Sequence, residues 1–320
     1  MNDKKDVRIL FMGTPDFAVA SLEALLSAGY RVIGVVTQPD RPVGRKQVMT
    51  PPPVKEAALR HGLSVYQPEK IKEEDALAEV MATEPDLIVT AAYGQILPKR
   101  LLDAPRHGCI NVHASLLPKY RGGAPIHKCI VEGEKESGVT IMYMVEALDA
   151  GDMLSRVVVP IEENDNVGML HDKLAEAGSQ LLVETLPKLL NGELVAEPQD
   201  HAQATFAPNI KRTDERIDWS KTAEQIYNQI RGLNPWPVAF TTCEGKTWKI
   251  WQAEKAEVTG VMGEPGTVID KTQDGLIVAC GAGSVKLIEI QPEGKKKMSV
   301  LDFLRGAGAS LAIGTKLGDC

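Results

Sequence analysis

The sequence predicts a doubly wound α/β fold with a mostly parallel sheet, followed by a C-terminal β-barrel of OB-like type. Three observations carry that reading. Near-continuous apolar runs of strand length alternate with helical patterns as far as Gly192, the mark of a parallel sheet covered on both faces. A polar, irregular stretch, Glu193–Ala207, comes next. Beyond it lie short strand-like pieces separated by Gly and Pro, the spacing of a small barrel. The domains therefore read as 1–192, a linker at 193–207, and 208–320.

The first strand is VRILFM (Val7–Met12), closed by the turn GTPDF. FAVASLEALLSAG then repeats apolar residues at helical spacing and stops on Gly29, as helices commonly do. YRVIGVVTQ is the second strand; VKEAALRHG and DALAEVMATE are short helices. DLIVTAAY (Asp86–Tyr93) and GCINVH (Gly108–His113) are further buried strands, followed by GVTIMYMV and MLSRVVVPI. A long helix, VGMLHDKLAEAGSQLLVETLPKLLNG, ends the first domain. In the second, AEQIYNQIRGL is a helix, and PVAFTTCEG, KTWKIWQAE, GTVIDKTQDG, LIVACGAG and SVKLIEIQPEG are the barrel strands.

A hydrophobic content of 43% beside a charged content of 25% is ordinary for a globular chain of this length, and each domain is long enough to bury its own core. No apolar run approaches membrane-spanning length, and MNDKKDVRILFMG contains no signal-peptide core. A cytoplasmic protein is expected. The five cysteines, Cys109, Cys129, Cys243, Cys280 and Cys320, are scattered without a CxxC pair. That excludes a zinc or disulfide framework and makes them small buried hydrophobes. The net charge of −7 is uneven, since Pro208 to the end carries 15 Lys+Arg against 14 Asp+Glu. Two basic windows stand out: RPVGRKQVMTPPPVK (Arg41–Lys55) and KYRGGAPIHK (Lys119–Lys128), neither holding an acid. One such window is usually a solvated loop; two leave room for a polyanionic partner.

The turn GTPDF is not G-x-G-x-x-G, so the dinucleotide fingerprint is absent. In open α/β sheets ligands sit beyond the carboxyl ends of the strands, which is where Tyr93, His113 and the segment after Val145 fall. CINVHASLLPKYRGGAPI (Cys109–Ile126) places Asn111 and His113 at such an end, two residues apart and so on one side of the strand. Asp149, in VEALDAGDML, lies between two apolar strands. Singly, each has a plainer reading: a hydrogen-bonded histidine, an asparagine before a turn, an ordinary DAGD turn. Together at a ligand edge they make a site the better reading. Asn111 and His113 can donate to an oxygen gaining negative charge, while Asp149 favours the protonated imidazole. With no metal-ligand cluster, no P-loop and no evident nucleophile–base pair, the residues point to acyl transfer without a covalent enzyme intermediate.

Asn-x-His followed by SLLPKYRG (Ser115–Gly122), with Asp149 in LDAGD further on, resembles the folate-dependent formyltransferase superfamily. The likeness extends over nearly the whole chain through GTPDFA, TQPDRPVGRK, PPPVKEAA, AAYGQILP and IDWS…IYNQIRGLNPWPVAF. It implies a Rossmann-like catalytic domain and an OB-like domain that contacts tRNA. It also implies 10-formyltetrahydrofolate as donor and the α-amine of initiator methionyl-tRNA as acceptor, without a metal. Asn111, His113 and Asp149 become the catalytic set, with Asp149 holding the His113 tautomer. Folate is expected against Ser115, Leu116, Leu117 and Pro118, and against the backbone of Tyr93, Gly94, Gln95, Ile96 and Leu97. For tRNA the implied contacts are Arg41, Arg45 and Lys46 in the first basic window. In the barrel they are Lys249, within the cation–aromatic run KTWKIWQ, and Lys295, Lys296 and Lys297. A monomer with no obligate protein partner is expected.

Rivals within the superfamily are a glycinamide ribonucleotide formyltransferase, a sugar-nucleotide formyltransferase and a formyl-folate hydrolase. The first normally lacks a second domain, and RPVGRK with IDWS…NPWP must discriminate the other two. A non-catalytic folate- or RNA-binding module is the rival of a different class. It would not need Asn111, His113 and Asp149 together.

Overall fold

The computed structural model describes residues 6–44, 46–256 and 263–318. Along the chain run β1 (Arg8–Gly13), α1 (Asp16–Ser27), β2 (Arg31–Val36), β3 (Arg41–Val43), β4 (Val48–Thr50), α2 (Pro53–Arg60), β5 (Val65–Tyr66), α3 (Glu74–Met81), β6 (Leu87–Ala91), α4 (Lys99–Leu102), β7 (Cys109–His113), α5 (Pro125–Val131), β8 (Glu136–Tyr143), β9 (Met153–Pro160) and α6 (Val167–Leu190). They are followed by α7 (Arg212–Glu215), α8 (Ala223–Gly232), β10 (Phe240–Cys243), β11 (Lys246–Ala256), β12 (Val268–Lys271), β13 (Leu276–Ala279), β14 (Ser284–Pro292), β15 (Met298–Ser299) and α9 (Val300–Arg305).

Contacts divide the chain into two compact units. One comprises Met1–Pro125, Glu136–Pro160 and His171–Pro208; the other comprises Ile126–Lys135, Ile161–Leu170 and Asn209–Cys320. The sequence's single cut at 192 therefore misplaces two short segments, 126–135 and 161–170. Both pack with the second unit: a Cβ on Gly232 would lie 2.7 Å from Val131 Cγ2, and Arg231 donates to the Glu162 and Asp165 carbonyls. The stretch read as a linker belongs to the first unit. Glu197 and Met153 exchange backbone hydrogen bonds at 2.8 Å, and Ala207 N–H donates to the Arg121 carbonyl at 2.7 Å.

In the first unit the sheet order is β5-β2-β1-β6-β7-β8-β9. The five strands from β5 to β7 are parallel, β8 is antiparallel to β7, and β9, antiparallel to β8, runs again in their direction. Strand order reverses between β1 and β6, the switch point where such sheets open a ligand crevice. The apolar text of β1 and β6 is buried throughout because helices cover both faces. α6 crosses behind β7 at Gly178, where an added Cβ would lie 3.1 Å from Val112 Cγ1. Side chains alternate along a strand, so Asn111 and His113 face away from α6.

The antiparallel β8 corrects one expectation. Thr140 pairs with His113 and Tyr143 with Ile110, so the chain leaves β8 roughly 10 Å short of the His113 end. The segment after Val145 thus starts from the wrong end of the sheet. The loop nonetheless reaches His113 through Asp149, at 3.8 Å, before Gly151 rejoins the Tyr143 end, where an added Cβ would lie 2.0 Å from the Tyr143 carbonyl oxygen.

The second unit is a curled antiparallel sheet of OB-like type, order β10-β11-β14-β13-β12 with β15 against β14. Ile250, Val285, Leu287 and Ile290 bury its concave core with Trp248, whose ring meets Phe303 edge-on at 4.9 Å. α8 opens on a capping box between Thr222 and Gln225, which satisfies otherwise orphan N–H groups. It buries Ile226 and Ile230 against the sheet.

Candidate active site

β7 presents the site. The Asn111 side-chain oxygen Oδ1 accepts the Thr90 hydroxyl across the β6–β7 pair at 2.7 Å, which turns the amide Nδ2 outward. That nitrogen donates to no protein group among the described residues. Asn111 is thus a fixed donor with an open hydrogen-bonding direction.

His113 is 6% exposed, and its Nε2 lies 3.1 Å from the Tyr120 carbonyl oxygen. A carbonyl only accepts, so the proton sits on Nε2. The backbone of the following loop sets this tautomer, where the sequence reading gave the task to Asp149. Nδ1 is left facing Asp149 Oδ1 at 3.8 Å, too far for a direct hydrogen bond. The other carboxylate oxygen, Oδ2, accepts the Gly122 N–H at 2.8 Å. An unprotonated Nδ1 and a carboxylate both accept, so a donor arriving between them is held by both.

The loop that shapes this corner is held in sparse backbone conformations. Tyr120 (φ +59°) and Asp149 (φ +47°) are left-handed without being glycine, at a local cost of about 1–3 kcal/mol each. Gly122, at φ +119°, has a second constraint, since its Cβ would lie 2.7 Å from the Ala207 carbonyl oxygen.

The two stretches named for folate differ sharply. In the first, Ser115 Oγ donates to the Lys119 carbonyl at 2.7 Å, Thr140 Oγ1 to the Ser115 carbonyl at 2.7 Å, and Leu117 N–H to Thr140 Oγ1 at 3.2 Å. Their polar groups are occupied, and Leu117 is buried; Leu116 and Pro118 offer apolar surface. In the second, no backbone N–H from Tyr93 to Leu97 donates to a protein acceptor among the described residues. Gly94 is at φ +91°, Ile96 is 79% exposed, and the Tyr93 carbonyl is anchored by Thr14 and Gln38. Gln95 is tied down through its side chain, which accepts the Ile71 N–H at 2.8 Å. The Tyr93 phenol points into the core, where burial raises its pKa.

The residues named for tRNA fall into two groups. Arg41 and Lys46 lie on the β3–β4 hairpin, whose residues are exposed; Arg41 pairs with Glu69 at 2.6 Å. Arg45 lies outside the described residues. In the second unit Lys249 is opposite Gln291. Gln291 accepts Trp251 Nε1 at 3.2 Å and donates to the Lys295 carbonyl at 3.1 Å, while Lys297 sits 5.0 Å over the Trp251 ring. Lys295, Lys296 and Lys297 are exposed. Trp248 points the other way, into the core.

Sequence reading missed Thr90, which aims Asn111, and Tyr120, which sets the His113 tautomer. It also missed Arg121 and Gln199, both buried beside the Asp149 loop. Cys109, Cys129, Cys243 and Cys280 are free and buried, with burial pushing the Cys109 thiol up to about 12; Cys320 lies outside the described residues. Among the described residues no group of His, Cys, Asp and Glu side chains is placed to hold a metal ion.

Fold and site together place a fixed amide donor, an imidazole and a carboxylate at the edge of an α/β sheet, the arrangement of a candidate acyl-transfer enzyme. Residues 7–186 match the family model described as formyl transferase, and residues 209–308 match the formyl transferase C-terminal domain. A Bacillus licheniformis protein named methionyl-tRNA formyltransferase is 61% identical over 312 residues, spanning 97% of this chain and 98% of its own. Its Bacillus subtilis namesake is 61% identical over 301 residues, 94% of this chain and 95% of its own. Among solved structures, an N-formyltransferase from Helicobacter canadensis, crystallised with folinic acid and dTDP-3-aminofucose, aligns with a TM-score of 0.64 at 19% identity. It covers 88% of this chain and 98% of its own. HypX from Aquifex aeolicus with tetrahydrofolic acid aligns at 0.63 and 19% identity, over 94% of this chain and 48% of its own. The chain belongs to the formyl transferase family.

Proposed function

We propose that the chain transfers the formyl group of 10-formyltetrahydrofolate to the α-amine of methionine carried by initiator tRNA. The observation that carries this is the meeting of the outward Asn111 amide, the Nδ1 face of His113 and the Asp149 carboxylate at 3.8 Å, in a chain 61% identical to proteins of that name. The neutral amine attacks the formyl carbon and a C–N bond forms. Its N–H enters between His113 Nδ1 and Asp149, which take the proton. The oxygen of the tetrahedral intermediate receives the Asn111 amide hydrogen bond, worth most where water is excluded. Collapse breaks the bond from carbon to N10 of the folate, and the proton held by His113 returns to that nitrogen as tetrahydrofolate leaves.

Folate fits the free N–H groups of Tyr93–Leu97, which match the acceptor edge of a pterin ring, with Leu116 and Pro118 offering apolar surface. For the acceptor, Arg41, Arg45 and Lys46 in the first unit and Lys249 and Lys295–Lys297 in the second are the proposed phosphate contacts. The first unit, which holds Asn111, His113 and Asp149, carries the chemistry, and the second, which holds Asn209–Cys320, serves tRNA binding. The protein acts as a monomer in the cytoplasm; among the described residues no helix is long and apolar enough to cross a membrane. The test is direct. Purified protein with 10-formyltetrahydrofolate formylates methionyl-initiator tRNA, and turnover on a sugar nucleotide with none on charged tRNA overturns the reading. Arg45→Ala should weaken use of tRNA and leave any slow hydrolysis of the formyl donor intact; unchanged tRNA kinetics remove that contact.

A further inference from the structure

We infer that Gln199, braced by the buried Arg121, is the positioning residue that fixes Asp149 for the reaction, and that Glu197–Ala207 is part of the active-site frame. The inference rests on the role proposed for Asp149 above. Gln199 is 5% exposed and Arg121 6%. The amide of Gln199 donates to the Asp149 carbonyl at 2.9 Å and the Gly151 carbonyl at 2.7 Å. Its oxygen accepts Arg121 Nε at 3.1 Å and Nη2 at 2.6 Å. Both N–H bonds and both lone pairs are in use. The amide cannot be flipped, because the reverse orientation sets donors against the guanidinium and an oxygen against two carbonyls.

These bonds close a circuit. Asp149 is held at its backbone by Gln199, Gln199 by Arg121, and the residue after Arg121 donates its N–H to the Asp149 carboxylate at 2.8 Å. Carboxylate and main chain of Asp149 are thereby fixed from one source, which leaves Oδ1 aimed at His113. The frame is pinned on both sides of Gln199: Glu197 pairs with Met153, Thr205 Oγ1 accepts the Tyr120 N–H at 2.9 Å, and Ala207 pairs with Arg121. Arg121 also donates to His201 Nδ1 at 3.0 Å, and no carboxylate lies within ion-pair distance of it among the described residues. A strap needed only to cover the sheet would bury apolar side chains. Burying an amide and a guanidinium is unfavourable unless every group is bonded, and here the bonding converges on Asp149.

The test is a double-mutant cycle on initiator-tRNA formylation, with Gln199→Glu and Asp149→Asn. Glutamate keeps the acceptor for Arg121 and loses both donors to the Asp149 loop. The expected result is a fall in kcat of about 100-fold, the scale of an ångström's misplacement, with KM for tRNA and folate donor little changed. Asp149→Asn with Gln199→Glu should lose no more than Asp149→Asn alone. Wild-type kcat in Gln199→Glu overturns the inference, and so does a loss that multiplies with that of Asp149→Asn. Full activity in Asp149→Asn alone sinks the site reading first, which is a different outcome. If Gln199→Glu does not fold, Gln199→Met keeps the length without the donors and carries the same expectations.

Discussion

Arg41–Lys55 and Lys119–Lys128 read alike in the sequence, each a basic window without an acid, and the fold uses them in opposite ways. In the second window the central cation is buried, at 6% exposure, and the backbone around it is bonded residue by residue: Arg121 N–H to the Thr205 carbonyl, Gly122 N–H to Asp149, Ala124 N–H to the Ala207 carbonyl. In the first window the hairpin β3–β4 is exposed, including Val43 at 56%, Val48 at 59% and Met49 at 61%. Its cations make surface pairs, Arg41 with Glu69 and Lys55 with Asp40. Such pairs are worth about 0–1 kcal/mol, so a phosphate can replace them. One window is bonded into the loop that carries Asp149; the other leaves its charges at the surface.

The largest effects should come from the residues that the buried window supports. His113→Ala should reduce formylation by about 10²–10⁴-fold, the range for a positioned acid–base group. Asn111→Ala should reduce it by about 10²–10³-fold, as for loss of one oxyanion donor. Neither should alter tRNA binding beyond a few-fold, measured by filter retention. Tight loss of tRNA binding in His113→Ala would erase the division of labour between the windows. Next in size is Arg121→Met. It strands the Gln199 oxygen in a buried setting, so urea unfolding should show about 1–3 kcal/mol of destabilisation. Arg41→Met, the matching change in the exposed window, should stay within about 0.5 kcal/mol of wild type. Equal stabilities for the two variants would break the comparison.

The sequence reading resolves the strands because buried strands are written in continuous apolar residues, and it places Asn111 beside His113 because strand side chains alternate. It does not resolve strand direction: VTIMY and VRILF carry the same apolar text, and pairing alone turns β8 around. Asp149 was legible as a residue type in a motif, while the distance its loop must cover to reach His113 depends on the antiparallel direction of β8, which the pattern does not carry. Arg121 and Gln199 are 78 residues apart, so spacing carries no hint of their contact. Gln199 sits in text whose polarity reads as a linker, and the polarity has another cause: those side chains bond the site. Arg121 was hidden differently, since a buried and a solvated arginine are spelled the same.

Smaller effects belong to the exposed window. Lys46 makes no ion pair among the described residues and is exposed, so Lys46→Ala should leave stability unchanged and weaken tRNA binding a few-fold. If it meets a phosphate, the slope of log affinity against log salt should fall by about 0.7–0.9. An unchanged slope removes Lys46 from the interface. Lys249→Ala provides the same reading for the second unit, with the same criterion.

The smallest effect concerns the base of the hairpin. Hydrogen bonds from Gln67 and then Lys55 hold the Asp40 carboxylate below its ordinary value of 3.8. A carboxylate depressed in the fold contributes stability above its unfolded value, and the contribution disappears as pH falls through the lowered one. Hairpin order should therefore be independent of pH at neutrality and weaken only in acid, followed by amide exchange at Val43 and Val48. In Asp40→Asn the acid-dependent change should be absent. Persistence of the full acid response in that variant would show that it does not originate at Asp40.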